Sequence, residues 1–357
     1  MQVVFICPFD VDRLTGTPIR TKHTISAVSQ FAKVSVIANG GEEVADKNIQ
    51  INVLRKNNIF LFTFHTLREL KKIKPTILHG VSTLSMLPIL LYKLFLNRKC
   101  KIIFDIHGWS WYETENVVPL YKRIFFLMID YVGLISAHRI ISMSFSQELF
   151  LKRIKKQSNV YVIWGAADFF ANYEKVPERP VFKIGYLGNR SFWQGLDVVF
   201  KTAELYKDKT EIVFEIGGFK IDDSLNLPKQ DNIVYSGIIK RSDVRSFICD
   251  KDVMVSPRIK GSVSDLQYPQ KISEYLMCGR PVIVSDVSDQ ARIVNEARCG
   301  IVLHDVTSSE LYTAINIIYN KNKEERFAMG IQAANFAAKE FSIDSFRHKI
   351  ALVYQGI

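Results

Sequence analysis

Short apolar runs and longer amphipathic stretches alternate along this 357-residue chain. Runs rich in Val, Ile and Phe at 3–7, 34–38, 51–54, 76–79, 101–106, 140–143 and 160–164 predict strands. Helical spacing of apolar positions predicts helices from the loop 8–18 to about residue 31, and at 61–72, 83–95, 120–136 and 145–156. Residues 171–180, with Pro177 and Pro180, predict a linker. A second strand–helix series begins at Phe182, with strands at 213–217, 232–235, 252–256, 282–284 and 300–303 and a terminal helix at 343–354. Repeated strand–helix units imply parallel sheets covered on both faces. The pattern therefore predicts two α/β domains, 1–172 and 173–340, with 341–357 as a separate terminal helix. The strongly apolar 120–136 is read as a buried core helix, with a helix resting on a membrane as the alternative.

The segment 268–286 organises the second half. Pro269 suits a first helical turn, and Ile272, Tyr275 and Leu276 share one face. Lys271 and Glu274, three apart, lie on one side. Gly279 ends the helix, Pro281 blocks its continuation, and Val282-Ile283-Val284 reads as an internal parallel strand. A lysine beside a helix start suits a phosphate, and a carboxylate one turn on can take two ribose hydroxyls. In the first half, His107-Gly108 follows the strand 101–106, at the edge where open α/β sheets bind ligands. His107 either contacts a ligand there or is a loop residue bonded to backbone. Trp109, Trp111 and Tyr112 follow it and can form an apolar or stacking wall for sugar or lipid. The first loop offers Gly16 and Thr17, as a phosphate or acceptor contact or as a plain strand-to-helix turn; a G-x-G-x-x-G fingerprint is absent. Gly217-Gly218 closes a later strand and lets backbone approach a ligand.

These segments carry a resemblance. Residues 268–286 resemble the donor segment of retaining GT-B glycosyltransferases of family 4, which includes sucrose and mannosyl transferases. Pro269, Lys271, Glu274, Tyr275, Gly279, Pro281 and Val282 agree with its Pro-x-Lys-x-x-Glu-Tyr and Gly-x-Pro-Val pattern. Residues 183–197 resemble its Gly-Arg-x5-Lys-Gly-x-Asp block: Gly188, Gly195 and Asp197 keep the spacing, Arg190 stands one place late, and Gln194 replaces the lysine. Losing that cation costs a charge-assisted hydrogen bond, about 1.5–3 kcal/mol, and Lys271 is positioned to compensate. Residues 164–170 resemble the family's Asn-Gly-Val-Asp-x-x-Phe, with Trp164 in place of Asn. The family's second glutamate falls on Leu266, beside Asp265.

The resemblance implies an α/β GT-B fold, two Rossmann-like domains with parallel sheets facing an interdomain cleft, and a terminal helix crossing back onto the first domain. It implies a retaining transfer of sugar from a UDP- or GDP-linked nucleotide-diphospho-sugar to a hydroxyl of a glycan or lipid-linked acceptor, in surface polysaccharide or glycoconjugate synthesis. His107, Lys271 and Arg190 take the catalytic roles. Gly16, Thr17, Gly188, Asn189, Gln194, Gly217, Asp265, Tyr268, Ser273 and Glu274 take the donor, and Trp109, Trp111 and Glu113 the acceptor. No cofactor and no metal are expected, there being no Asp-x-Asp pair. The alternatives are a GT-B sugar-nucleotide 2-epimerase and a degenerate, non-catalytic sugar-nucleotide-binding subunit.

Charge changes the picture on one side only. Residues 1–176 hold 23 Lys and Arg against 13 Asp and Glu, and the remainder 24 against 23, so the net +11 is nearly all in the first half. That half suits an anionic partner, a membrane leaflet or a phosphate-bearing acceptor. No nucleic-acid module accompanies it, and nucleic acid is not expected as a partner. Five scattered cysteines without metal-like spacing fit a reducing compartment. The chain starts directly on an apolar strand and no apolar run reaches the roughly 20 residues of a membrane span. A cytoplasmic location follows as the expectation, or a peripheral one on the inner face of the membrane.

Overall fold

The apolar runs at the head of the chain form the middle of a parallel sheet. The computed structural model describes residues 1–357 except 14–15, 46–47, 57, 116, 157–158, 168–172, 174–175, 177–178 and 223–225. Leu14 and Thr15 of the first loop, Asp168, Phe169 and Phe170 of the segment before the linker, and most of the linker lie outside the described residues. The chain divides into two units, Met1–Gly165 with Ile343–Ile357, and Ala166–Ser342.

Unit 1 runs β1 (Gln2–Cys7), α1 (Gly16–Val28), β2 (Lys33–Ala38), β3 (Val44–Ala45), β4 (Ile49–Val53), α2 (Ile59–Ile73), β5 (Ile77–Val81), α3 (Met86–Phe95), β6 (Lys101–Ile106), α4 (Ser110–Glu113), α5 (Leu120–Ser136), β7 (Arg139–Ser142), α6 (Phe145–Ile154) and β8 (Val160–Val162). The sheet order is β3-β4-β2-β1-β5-β6-β7-β8, parallel except for β3. β1 pairs with β2 (Val3↔Val34) and β5 (Val3↔Ile77), and Val3 to Cys7 are fully buried, which is why this strand is uninterrupted by polar residues. α2 starts where Asn58 accepts from the Phe60 N–H and stops at Lys74 in the left-handed region.

α5 departs from the expected buried core helix. It buries only Ile129, Asp130, Gly133 and Leu134, and leaves Tyr121, Ile124, Met128, Val132 and Ile135 exposed. Its small inward face, with Gly133 against Met86 and Phe104, allows close packing on α3 and β6 but covers one side only.

The terminal helix α14 (Ile343–Tyr354) belongs to unit 1. It lies on α1, with the Arg20 guanidinium 5.4 Å from the Phe346 ring centroid, and Tyr354 is edge-on to Phe31.

Unit 2 runs β9 (Phe182–Leu187), α7 (Leu196–Glu204), β10 (Ile212–Gly217), β11 (Ile233–Gly237), α8 (Val244–Cys249), β12 (Val253–Ser256), α9 (Ser262–Leu266), α10 (Lys271–Met277), β13 (Val282–Ser285), α11 (Gln290–Ala297), β14 (Gly300–Leu303), α12 (Ser308–Tyr319) and α13 (Lys323–Glu340). The strands are all parallel, in the order β11-β10-β9-β12-β13-β14. Ile184, Tyr186, Val199, Phe214, Ile283 and Ile315 form part of its core. α10 is buried along nearly its whole length and ends as Gly279 turns and the Arg280 N–H reaches the Tyr275 carbonyl. All five cysteines are buried free thiols. Among the described residues, no helix is long and apolar enough to cross a membrane.

Candidate active site

In unit 2, β9 is followed by β10 on one side and later by β12 on the other. The loops leaving β9 and β12 therefore diverge at the carboxyl edge of the sheet, the place where such folds leave a crevice. Here the two loops are tied together. Gly195 takes φ +71°, and a Cβ on it would fall 1.8 Å from the Pro257 carbonyl oxygen, so only glycine permits the approach. The Ile259 N–H donates to the Trp193 carbonyl at 3.0 Å. Gly218, at φ +104°, plays the same part beside the β9 loop: a Cβ there would fall 2.7 Å from the Gly188 nitrogen.

Two cations meet behind this seam. Lys271, first residue of α10, donates from Nζ to Gln194 Oε1 at 3.0 Å and lies 4.7 Å from the Tyr186 ring centroid. Its Nζ is 3.4 Å from where a Gly188 Cβ would stand. Arg258, which follows β12, is only 1% exposed. Its Nη1 donates to the Gln267 carbonyl at 3.1 Å, and its Nε has no hydrogen-bond partner among the described residues. Burial first, then the Arg258 charge, lowers the Lys271 pKa to about 7. Burial likewise lowers Arg258 to about 10, opposed by Asp265 and Tyr186. Asp265 is half-buried, and burial raises its pKa against the pull of Lys260 and Arg258. The cluster sets two cations, Lys271 and Arg258, against one carboxylate neighbour, Asp265.

The other expected donor residues are distributed around it. Glu274 is buried and paired with Arg241 Nη1. Gly188 donates its N–H to the Gly217 carbonyl at 3.0 Å, and the Asn189 carbonyl accepts from the Tyr186 hydroxyl at 3.0 Å. Arg190 is exposed, its guanidinium 5.9 Å from the Phe219 ring centroid. Tyr268 and Ser273 are both buried and hydrogen-bond each other at 2.6 Å.

In unit 1, His107 follows β6, with Nε2 3.2 Å from Asp105 Oδ2 and Nδ1 3.1 Å from Thr17 Oγ1. Asp105 also lies 3.7 Å from His79 Nε2 and 3.8 Å from Arg20 Nη2. Burial works to raise its pKa, but His107, Arg20 and His79 outweigh that and hold it well below the usual carboxylate range. Burial lowers the pKa of His79, whose Nδ1 is 2.6 Å from the Tyr354 hydroxyl. Gly16 starts α1 and is exposed, with nothing within 4 Å of its Cβ direction.

The expected acceptor wall does not form from both tryptophans. Trp109 is 4% exposed and packs edge-on to Phe150, so it is core. Trp111 lies under the Arg123 guanidinium at 4.3 Å. Glu113 is exposed and folds back on Gly108, where a Cβ would meet its Oε1 at 1.9 Å.

Arg258, Arg241, Asp105, His79, Arg20 and Tyr354 escaped the sequence reading. Two had a signal: Arg258 follows a strand end, as His107 does, and Asp105 interrupts an apolar strand. Arg241 had none, being 33 residues from the carboxylate it meets.

Comparison with known proteins follows the same division. Residues 181–321 match the family described as glycosyl transferases group 1. No curated protein matches the chain by sequence. Among solved structures, sucrose-phosphate synthase from Thermosynechococcus elongatus is similar at TM-score 0.81 and 14% identity, over 99% of this chain and 98% of that one. A glycosyltransferase from Rickettsia africae is similar at TM-score 0.74 and 17% identity, over 100% and 99%. Anabaena HepE in complex with UDP and glucose is similar at TM-score 0.74 and 12% identity, over 100% of both chains. Residues 181–321 thus form a glycosyl transferases group 1 domain, carried in a chain of the GT-B fold.

Proposed function

We propose that the chain is a retaining glycosyltransferase that moves a sugar from a nucleotide-diphospho-sugar to a hydroxyl of a glycan or lipid-linked acceptor. The observation that carries this is the Lys271–Arg258 pair at the seam of the β9 and β12 loops, two cations with an amide and a phenol ring for company. The complexes of Anabaena HepE with UDP and glucose and with UDP-glucose support a uridine diphosphate donor.

In this reading unit 2 holds the donor. The diphosphate takes the place beside Lys271, with Arg258 behind and Arg190 at the exposed rim. Glu274, held by Arg241, takes the ribose hydroxyls. The bond from the anomeric carbon to the phosphate oxygen breaks while the acceptor oxygen bonds to that carbon from the same face. The acceptor proton passes to the departing phosphate oxygen. Negative charge grows on the diphosphate as it leaves, and the fixed cations stabilise it more in the transition state than before. Unit 1 is assigned the acceptor, with His107, oriented by Asp105 and Thr17, as its hydrogen-bonding group.

The test is donor turnover and donor affinity for Lys271→Ala and Glu274→Ala. Loss of one charge-assisted contact, about 1.5–3 kcal/mol, corresponds to about 10- to 100-fold in kcat/KM for Lys271→Ala. If both variants match the parent, the donor assignment fails. Conversion of the donor to an epimer without any acceptor would replace transfer with 2-epimerisation.

A further inference from the structure

Opposite the seam, at the amino edge of the unit 2 sheet, lies a cavity of about 770 Å³. Phe182, Asp252 and Pro281 line it where β9, β12 and β13 begin. Its size is that of a small-molecule site. Lys271 and Arg258 stand beyond the other edge of the sheet and take no part in it. Two ring pairs form its walls. Tyr173 stands edge-on to Phe327 with ring centroids 4.6 Å apart, and Phe182 edge-on to Tyr319 at 5.3 Å. A guanidinium lies over one ring of each pair: Arg280 5.3 Å from the Tyr173 centroid, Arg326 5.6 Å from that of Phe182. Tyr173 is seated on two glycines. A Cβ at Gly330 of α13 would fall 2.3 Å from its Cε2, and one at Gly279, just after α10, 2.9 Å from its Cδ2. That wall is therefore fixed in place.

The charge of the lining is unbalanced. Arg179, Arg280, Lys323 and Arg326 face Asp252 and Glu324. Asp252 is held by Arg179, whose Nη2 lies 2.7 Å from its Oδ2. The rest of the lining then sets three cations against one carboxylate, the exposed Glu324. Arg280 is fully buried. Its charge and that of Arg326 both reach the Tyr173 hydroxyl, where they oppose the rise in pKa that burial causes. The excess of two positive charges is about what a phosphate monoester carries at neutral pH with the opposite sign. A guanidinium fork fits its oxygens, and the ring walls fit a planar group attached to it. A neutral ring would leave the cations unanswered, and inorganic phosphate would leave the apolar walls wet. We propose that unit 2 carries a second ligand site, at the amino edge of its sheet, for a small molecule that joins a planar ring to a phosphate monoester. The inference is independent of the sugar chemistry.

The test is calorimetric titration of the full chain with phenyl phosphate, with inorganic phosphate and phenol as the charge-only and ring-only controls. Phenyl phosphate is expected to bind about tenfold or more tighter than either. Arg326→Gln is expected to weaken it by about 10- to 100-fold, and Lys323→Glu, at the exposed rim, by about threefold or more. Arg326 also donates to the Tyr319 carbonyl at 3.1 Å and to that of Lys321, so thermal unfolding checks both variants. If Arg326→Gln does not fold, Lys323→Glu decides. Lys271→Ala locates the ligand, because binding at the amino edge persists in it. The proposal is overturned if phenyl phosphate binds the parent no tighter than the better control, or if the folded variants bind it like the parent. It is also overturned if Lys271→Ala abolishes binding, which would put the ligand at the seam. Failure of the donor site in its own test leaves each of these outcomes as it stands.

Discussion

Lys271 has exchanged water for an amide oxygen, a phenol ring and a nearby guanidinium, and its pKa falls to about 7 in consequence. A diphosphate bound as proposed would supply negative charge and raise that pKa again, so its binding would take up a proton. Donor affinity is then expected to fall as pH rises above 7, by up to about tenfold per pH unit. Calorimetric titration in buffers of different ionisation enthalpy detects the uptake, and pH-independent affinity between 6.5 and 8.5 would contradict it. Glu274 is the complementary case. Removing it leaves Arg241 without the carboxylate it meets, so Glu274→Gln is expected to weaken the donor less than Arg241→Ala, because Gln keeps a hydrogen-bond acceptor. Residue-scale legibility followed sequence distance. Lys271 and His107 could be picked out because each sits at the edge of a recognisable element. The Arg241–Glu274 and His79–Tyr354 pairs, 33 and 275 residues apart, exist only once the chain has folded.

α5 shows where element-level reading stops. Its apolar residues were visible, but they occupy more than one face, so their spacing could not say which face would be covered. The one residue that periodicity would turn outward, Asp130, is buried. Burial raises its pKa to about 6. The sign follows from the folded state binding the proton more tightly. Stability from this group is full below about pH 4 and lost as pH rises through 6. At neutral pH the charge then opposes folding by at most about 3 kcal/mol. Asp130→Asn keeps an acceptor for the Ser110 N–H and is expected to raise the unfolding temperature at pH 7–8 while flattening its pH dependence between 4 and 6. An unfolding temperature unchanged or lower at pH 8 would contradict this. α10 was legible for the opposite reason: Pro269, Gly279 and Pro281 fix both ends, leaving little freedom for its apolar face. Its buried Tyr268–Ser273 bond was not legible, because polarity alone does not name a side chain's partner.

At the scale of the molecule, alternating strands and helices with a proline-bearing linker were enough to give two doubly wound units. The spacing could not place α14, whose position depends on its tertiary partners. Those partners are in unit 1: Phe346 and Tyr354 are buried there, and Tyr354 reaches His79 beneath the His107–Asp105 pair. Tyr354→Ala is expected to cost about 3–5 kcal/mol of unit 1 stability, while donor binding, assigned to unit 2, persists. Loss of donor binding with unit 1 still folded would contradict that division of labour. Affinity for a nucleotide-diphospho-sugar, measured by calorimetry side by side for the parent, Lys271→Ala and Lys339→Ala, bears on the central claim most directly, since Lys339 is an exposed cation of the same unit. The account predicts a weakening of about 10- to 100-fold for Lys271→Ala and none for Lys339→Ala; equal affinity in all three would contradict it.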